Sequence, residues 1–295
     1  MAEIIQKDGT WSFDGDGIRI VPGSDKGVSL LRRTLGEITV PLLALAGVAY
    51  EPGRKTGRLR LKLRDGADPL LQVTGGKLDD ASDPYALTVE TKAAAIAEYF
   101  VDEVRNALLL DSVPTGPVDR YLLPGPSLPM TVGAGDGTAS FDGRTVRLEW
   151  TWHTDEVKTS SGPAALALED LHAVEWLPAR GLADGHLRFV SSPNAPRLPA
   201  GRDPHAVELN GFKKDPLMAL LASAVVARMP HPHASAPAPA IAPGPKALGP
   251  APAADDADDP DALLRRLREL GDLHSSGILT DEEFSLAKQA VLKRL

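Results

Sequence analysis

The chain carries one pattern twice, and that repetition constrains its fold more than any other feature. Ser12-Phe13-Asp14-Gly15 returns as Ser140-Phe141-Asp142-Gly143, and Ile18-Arg19-Ile20 returns as Val146-Arg147-Leu148. Val48, Tyr50, Pro52 and Arg54 match Val174, Trp176, Pro178 and Arg180. Gly57, Leu59, Arg60 and Leu61 match Gly185, Leu187, Arg188 and Phe189, and Asp83-Pro84 matches Asp203-Pro204. The blocks keep their order, and the spacing between copies changes only between blocks, where loops accept insertions. At 295 residues the chain has room for two such domains and an appendage.

Each copy has the same internal grammar. Short runs with the period of a half-buried strand come first. In the first copy they are Trp11–Phe13, Ile18–Val21, Val28–Leu31, Ile38–Tyr50 with a break, Arg58–Leu63, Leu70–Thr74 and Ala86–Val89. Asp-Gly and Gly-Gly pairs punctuate them. The period then changes: Ile96, Phe100, Val104 and Leu108 lie at helical spacing within Lys92–Leu110. In the second copy Asp215 is placed to cap a helix, with Pro216 in its first turn and a broad apolar stripe from Leu217 to Ala227. The expected fold class is α+β: two tandem small β-barrel or sandwich domains, each closed by a C-terminal helix that covers an open core.

Beyond Met229 the composition shifts. Residues 230–260 are rich in proline and alanine with almost no large apolar side chain, which predicts a disordered, semi-extended linker. From 261 to 295 helical spacing returns, first in Leu263, Leu264, Leu267, Leu270 and Leu273. Gly277 breaks the run, and Thr280 with Glu283 forms a capping box before Phe284, Val291 and Leu292. Such a hairpin is too small to bury enough surface alone, so it is expected to dock on a partner or on a second copy. The expected organisation is a first repeat over 1–110, a connector over 111–132, a second repeat over 133–229, the linker, and the hairpin.

Two resemblances follow from these residues. Leu267, Leu270, Leu273, Gly277-Ile278-Leu279-Thr280, Glu283-Phe284, Lys288 and Leu292 resemble the SHOCT (short C-terminal) domain of bacterial proteins. That resemblance implies an oligomerisation or interaction module, with Leu263, Leu267, Leu270, Leu273, Ile278, Leu279, Phe284 and Leu292 as its contact face. The two repeats resemble, more loosely, a bacterial domain-of-unknown-function family with a pleckstrin-homology-like fold, often coupled to SHOCT. Neither resemblance brings catalytic residues or a cofactor.

Composition narrows the function classes. A net charge of −8 argues against general nucleic-acid binding. The absence of cysteine removes disulfides, thiolate nucleophiles and cysteine-based zinc sites. The N-terminal residues do not read as a signal peptide, and the most apolar stretches, Val40–Tyr50 and Leu217–Met229, are too short to span a bilayer. A cytoplasmic location is expected, with peripheral association at the inner membrane face as the alternative. Gly133, Gly135 and Gly137 precede a strand, not a helix, and so read as a connector instead of a phosphate loop. His231 and His233 lie in the linker without a scaffold for metal, and His153, Asp155, Glu156, Ser160 and Ser161 share one short stretch unsuited to a converging triad. Tyr50 and Trp176 read as packing. Arg58, Arg60, Lys62 and Arg64 alternate with leucines, with Arg54 and Lys55 just before, which makes a basic stripe suited to an anion, an acidic partner or a lipid headgroup. No catalytic residue, metal site or cofactor is assigned. The expected function is a non-catalytic interaction scaffold or adaptor; the alternative is a peripheral membrane adaptor reading anionic lipid through the basic stripe.

Overall fold

A computed structural model describes residues 1–152, 154–194 and 196–234. The hairpin face from Leu263 to Leu292, the linker beyond Ala234 and His153 lie outside the described residues. Each copy is built from two antiparallel meanders and a terminal helix. In the first copy β1 (Ala2–Gln6), β2 (Gly9–Phe13), β3 (Gly17–Pro22) and β4 (Ile38–Pro41) form one sheet. The strands β5 (Leu45–Glu51), β6 (Thr56–Leu63) and β7 (Ala86–Glu90) form the other. The second copy repeats this with β8 (Met130–Ala134), β9 (Gly137–Phe141), β10 (Thr145–Trp150) and β11 (Ala164–Ala167), then β12 (Ala173–Leu177), β13 (Gly185–Val190) and β14 (Ala206–Leu209). The sheets stay open: among the described residues none closes into a barrel, which corrects the barrel reading.

Two segments read as strands are helices. Val28–Leu31 runs into α1 (Leu30–Leu35), because Ser29 Oγ accepts the Arg32 N–H at 3.2 Å and Gly36 terminates the turn. Leu70–Thr74 belongs to α2 (Pro69–Thr74), capped by Asp68, whose carboxylate accepts the N–H groups of Leu70 and Leu71, with proline at the first helical position. The helix α3 (Ala94–Leu110) is present as expected, but its buried stripe is Ala97, Phe100, Val101 and Val104, while Ile96 is exposed. In the second copy α4 (Glu156–Ser161) matches α1, and among the described residues nothing replaces α2: a 3₁₀ turn at Ala200–Arg202 lies in that part of the chain. That loss accounts for the closer spacing of the Asp83 and Asp203 blocks.

The terminal helix of the second copy, α5 (Asp215–Val226), joins the two copies. Every residue from Met218 to Val226 is buried. One side covers the second copy's sheets, and α1 and α2 of the first copy pack on the other. Leu31 of α1 and Leu70 of α2 therefore belong to the second copy's core, with Phe141, Leu148, Trp176, Phe189 and Leu221. The first copy keeps a separate core around Trp11, Leu59, Leu87 and Phe100. Asp215 does not cap α5 as expected. It lies inside the first turn, and its Oδ2 accepts the N–H groups of Gly211 and Phe212 from the preceding turn. The connecting segment is tied down too, with Val118 N–H donating to Asp65 and Leu123 N–H to Ala67.

Candidate functional site

The basic stripe is in place but is largely committed. The alternation along β6 holds, with Leu59, Leu61 and Leu63 buried and Arg60 and Lys62 exposed. Arg58 and Arg60 both pair with Asp80, Arg60 at 2.7 Å. Arg64 donates to the carbonyls of Leu43, Gly116 and Pro117, so it fastens the connector to the sheet. Arg54, Lys55 and Lys62 remain exposed and make no ion pair among the described residues. The stripe is thus three unpaired cations flanking two guanidiniums that share one carboxylate.

The other sequence candidates separate. Gly135, at φ +58°, turns the β8–β9 hairpin against the main chain of Glu208. His231 and His233 sit against the first copy, His231 Nε2 2.9 Å from the Gly66 carbonyl oxygen and His233 Nε2 3.1 Å from Asp65 Oδ2. Among the described residues no group of three potential ligands could hold a metal ion. Asp155 caps α4, and Ser160 and Ser161 donate back to the Val157 carbonyl. Tyr50 packs over Gly57, whereas Trp176 is 5% exposed and has a second role.

Trp176 lines a cleft of about 640 Å³ where the two copies meet. The first copy supplies the entry to α1, from Lys26 to Arg33, and the loop from Lys77 to Ser82. The second supplies Trp176 to Arg180 and the entry to α5, from Gly211 to Pro216. Ser29 capping fixes the first wall; a bond from Arg180 to the Lys77 carbonyl, 3.1 Å long, bridges the copies. Five cations line the cleft: Lys26, Arg33, Lys77, Arg180 and Lys213. Against them stand Asp79, which caps its own turn at Ser82 N–H, and Asp215. Burial holds the Asp215 carboxyl above the usual carboxylate range, against the lowering pull of its bonds from Gly211 and Phe212. Two lining residues carry buried polar atoms with no hydrogen-bond partner among the described residues, Trp176 Nε1 and Asp215 Oδ1. No run or period in the sequence marks this cleft, because its cations come one at a time from five separate positions.

The repetition extends to a charged clamp in each copy. Asp8 and Asp136 occupy matched turns, and each holds a cation from the following short helix. Arg32 lies 3.6 Å from Asp8, and Lys158 lies 2.5 Å from Asp136. Each carboxylate also accepts a last-strand N–H, from Thr88 at 3.0 Å and from Glu208 at 2.8 Å. This repeated clamp ties the two sheets and the helix of each copy together. The sites are structural: both cations are buried.

Comparison with known proteins agrees with the duplication. No curated protein matches the chain. A family model, Domain of unknown function (DUF4429), matches twice, over residues 11–105 and 139–226, one match per copy. These two matches take in more than half of the sequence, so the chain belongs to the DUF4429 family as a tandem pair of its domains.

Proposed function

We propose that the chain is a non-catalytic scaffold, in which two DUF4429 copies form one binding body and residues 261–295 recruit a protein partner or a second copy. The observation that carries this reading is the double burial of α5, which makes the two copies one surface instead of two beads. The order within each copy, a four-stranded meander, a three-stranded meander and a terminal helix, supports the pleckstrin-homology-like reading in an open form. The Gly277-Ile278-Leu279-Thr280 and Glu282-Glu283-Phe284 pattern supports a SHOCT-like tail. The test compares full-length chain with chain ending at Pro250 by light scattering after gel filtration. The scaffold reading expects a multimer that becomes a monomer on truncation; a monomer in both cases, with no partner captured by the full chain alone, overturns it.

The unpaired charge on Arg54, Lys55 and Lys62 favours a second reading, peripheral attachment to an anionic membrane. It expects cosedimentation with phosphatidylglycerol vesicles at low salt, lost when these three residues become serine. Binding that survives the triple replacement removes it.

A further inference from the structure

We propose that the cleft between the copies binds a small amphipathic anion, a phosphate- or carboxylate-bearing molecule with an apolar body. Its volume, about 640 Å³, lies within the roughly 300–1,000 Å³ of small-molecule sites. Its charge is the first argument. In a chain of net charge −8, five cations converge on this one cavity, and Lys26, Arg33, Lys77 and Lys213 make no ion pair among the described residues. Five cations against the carboxylates of Asp79 and Asp215 leave the lining with an excess of positive charge, so the arrangement is favourable when an anion sits among them. The second argument is the wall. Val28, Leu78, Pro178 and Phe212 are apolar, and Phe212 is 66% exposed at the rim, so a bare inorganic anion would leave much of the cleft unused.

The third argument is hydrogen bonding. Trp176, in this wall, carries a buried Nε1–H with no acceptor among the described residues. A buried donor without an acceptor is costly, and a ligand oxygen would supply one to Trp176. Two copies build the site together: the first gives the α1 entry and the second gives Trp176, so neither has it alone. This site is independent of recruitment through the tail, and its test leaves the tail intact.

The experiment is calorimetric titration of the full chain with dodecyl phosphate below its micellar concentration, beside inorganic phosphate and phosphatidylglycerol vesicles. One equivalent of dodecyl phosphate is expected to bind, with inorganic phosphate about 100-fold or more weaker for want of apolar burial. Replacing Lys26, Arg33 and Lys213 by serine is expected to weaken dodecyl phosphate roughly 10- to 100-fold. Trp176→Phe keeps an aromatic ring, smaller than the indole, without the N–H and is expected to cost about fivefold. The three cations are exposed, so the variant should keep its melting temperature; if it does not, the single replacements carry the same test. Vesicle binding that the triple variant loses assigns the anion to a membrane lipid, whereas binding of the monomeric amphiphile alone assigns it to a soluble one. No saturable binding of dodecyl phosphate, equal affinity for inorganic phosphate, or unchanged affinity in the triple variant overturns the proposal.

Discussion

Asp136, only 8% exposed, holds the Lys158 ammonium and the Glu208 N–H through its carboxylate, and the Thr154 hydroxyl and the N–H and hydroxyl of Thr151 through its carbonyl. Lys158 is fully buried, and it also donates to the Ala206 carbonyl and lies over the Trp150 ring at 4.6 Å. Lys158→Met keeps the stem but strands a buried carboxylate, so it is expected to destabilise the fold by about 3–5 kcal/mol. Arg32→Met breaks the matched pair, yet the Asp8 side chain there is 23% exposed and water can reach it, so a loss of roughly 1–2 kcal/mol is expected. Urea denaturation of the two variants measures the difference, and equal losses would contradict the burial argument. Asp142 carries a pH effect of opposite visibility. Its carboxyl is lowered to about 2 by hydrogen bonds from the N–H groups of Arg144 and Thr145, and then by Arg147. The folded value lies below the ordinary carboxylate value near ~4, so its stabilising contribution is present above that value and lost as pH falls towards 2. Asp142→Asn should flatten that part of the acid limb; an unchanged slope would mean the turn does not hold the ionised form. At this scale the Asp-Gly turns were legible because the motif is local and repeated. The Asp136–Lys158 clamp was not, because its members are separated along the chain and share no residue type with Arg32 at the cation.

At the scale of elements, legibility followed the strength of the local signal. The alternation along β6 and the helical period of α3 survive in the structure because each presents one face to a core. The strand readings of Val28–Leu31 and Leu70–Thr74 failed because short apolar runs lack a decisive period. A better signal was present in both: Ser29 before a leucine-rich run, and Asp68-Pro69, the same aspartate–proline pair that opens α5. The stripe on α5 was also read too narrowly. From Leu217 to Val226 the helix has Ser223 as its sole polar side chain, and a helix apolar all round is buried all round. Leu31 is fully buried at this helix's outer contact. Leu31→Ala is expected to cost about 2–5 kcal/mol and to raise amide exchange along α5, although Leu31 belongs to the other copy. Exchange that rises only in α1 would show that the copies do not share this core.

For the molecule as a whole, duplication alone would permit two independent domains, and the contact between the copies excludes that arrangement. The contact is head-to-tail: α5 of the second copy seats on α1 and α2 of the first, and the copies do not present matching faces to each other. Head-to-tail contacts can propagate, and among the described residues this one joins two copies. The equivalent helix of the first copy, α3, turns exposed Glu98, Asp102 and Asn106 outward beside exposed Ile96 and Tyr99, and among the described residues the second copy has no α2 to receive another helix. The cleft lined by Trp176 and Lys26 exists because of this asymmetry, since its two walls are different segments of the repeat. Separation is therefore expected to damage the second copy more than the first. A fragment spanning 130–234 uncovers the outer side of α5, a continuous apolar strip that a soluble monomer rarely tolerates. It is expected to self-associate or precipitate, and to return to solution as a one-to-one complex when a 1–129 fragment is supplied. The intact chain should melt the two copies in a single cooperative calorimetric transition, because the second core contains side chains of the first copy. Two separable transitions, or a 130–234 fragment that stays monomeric and folded, would show that α5 does not need its second cover.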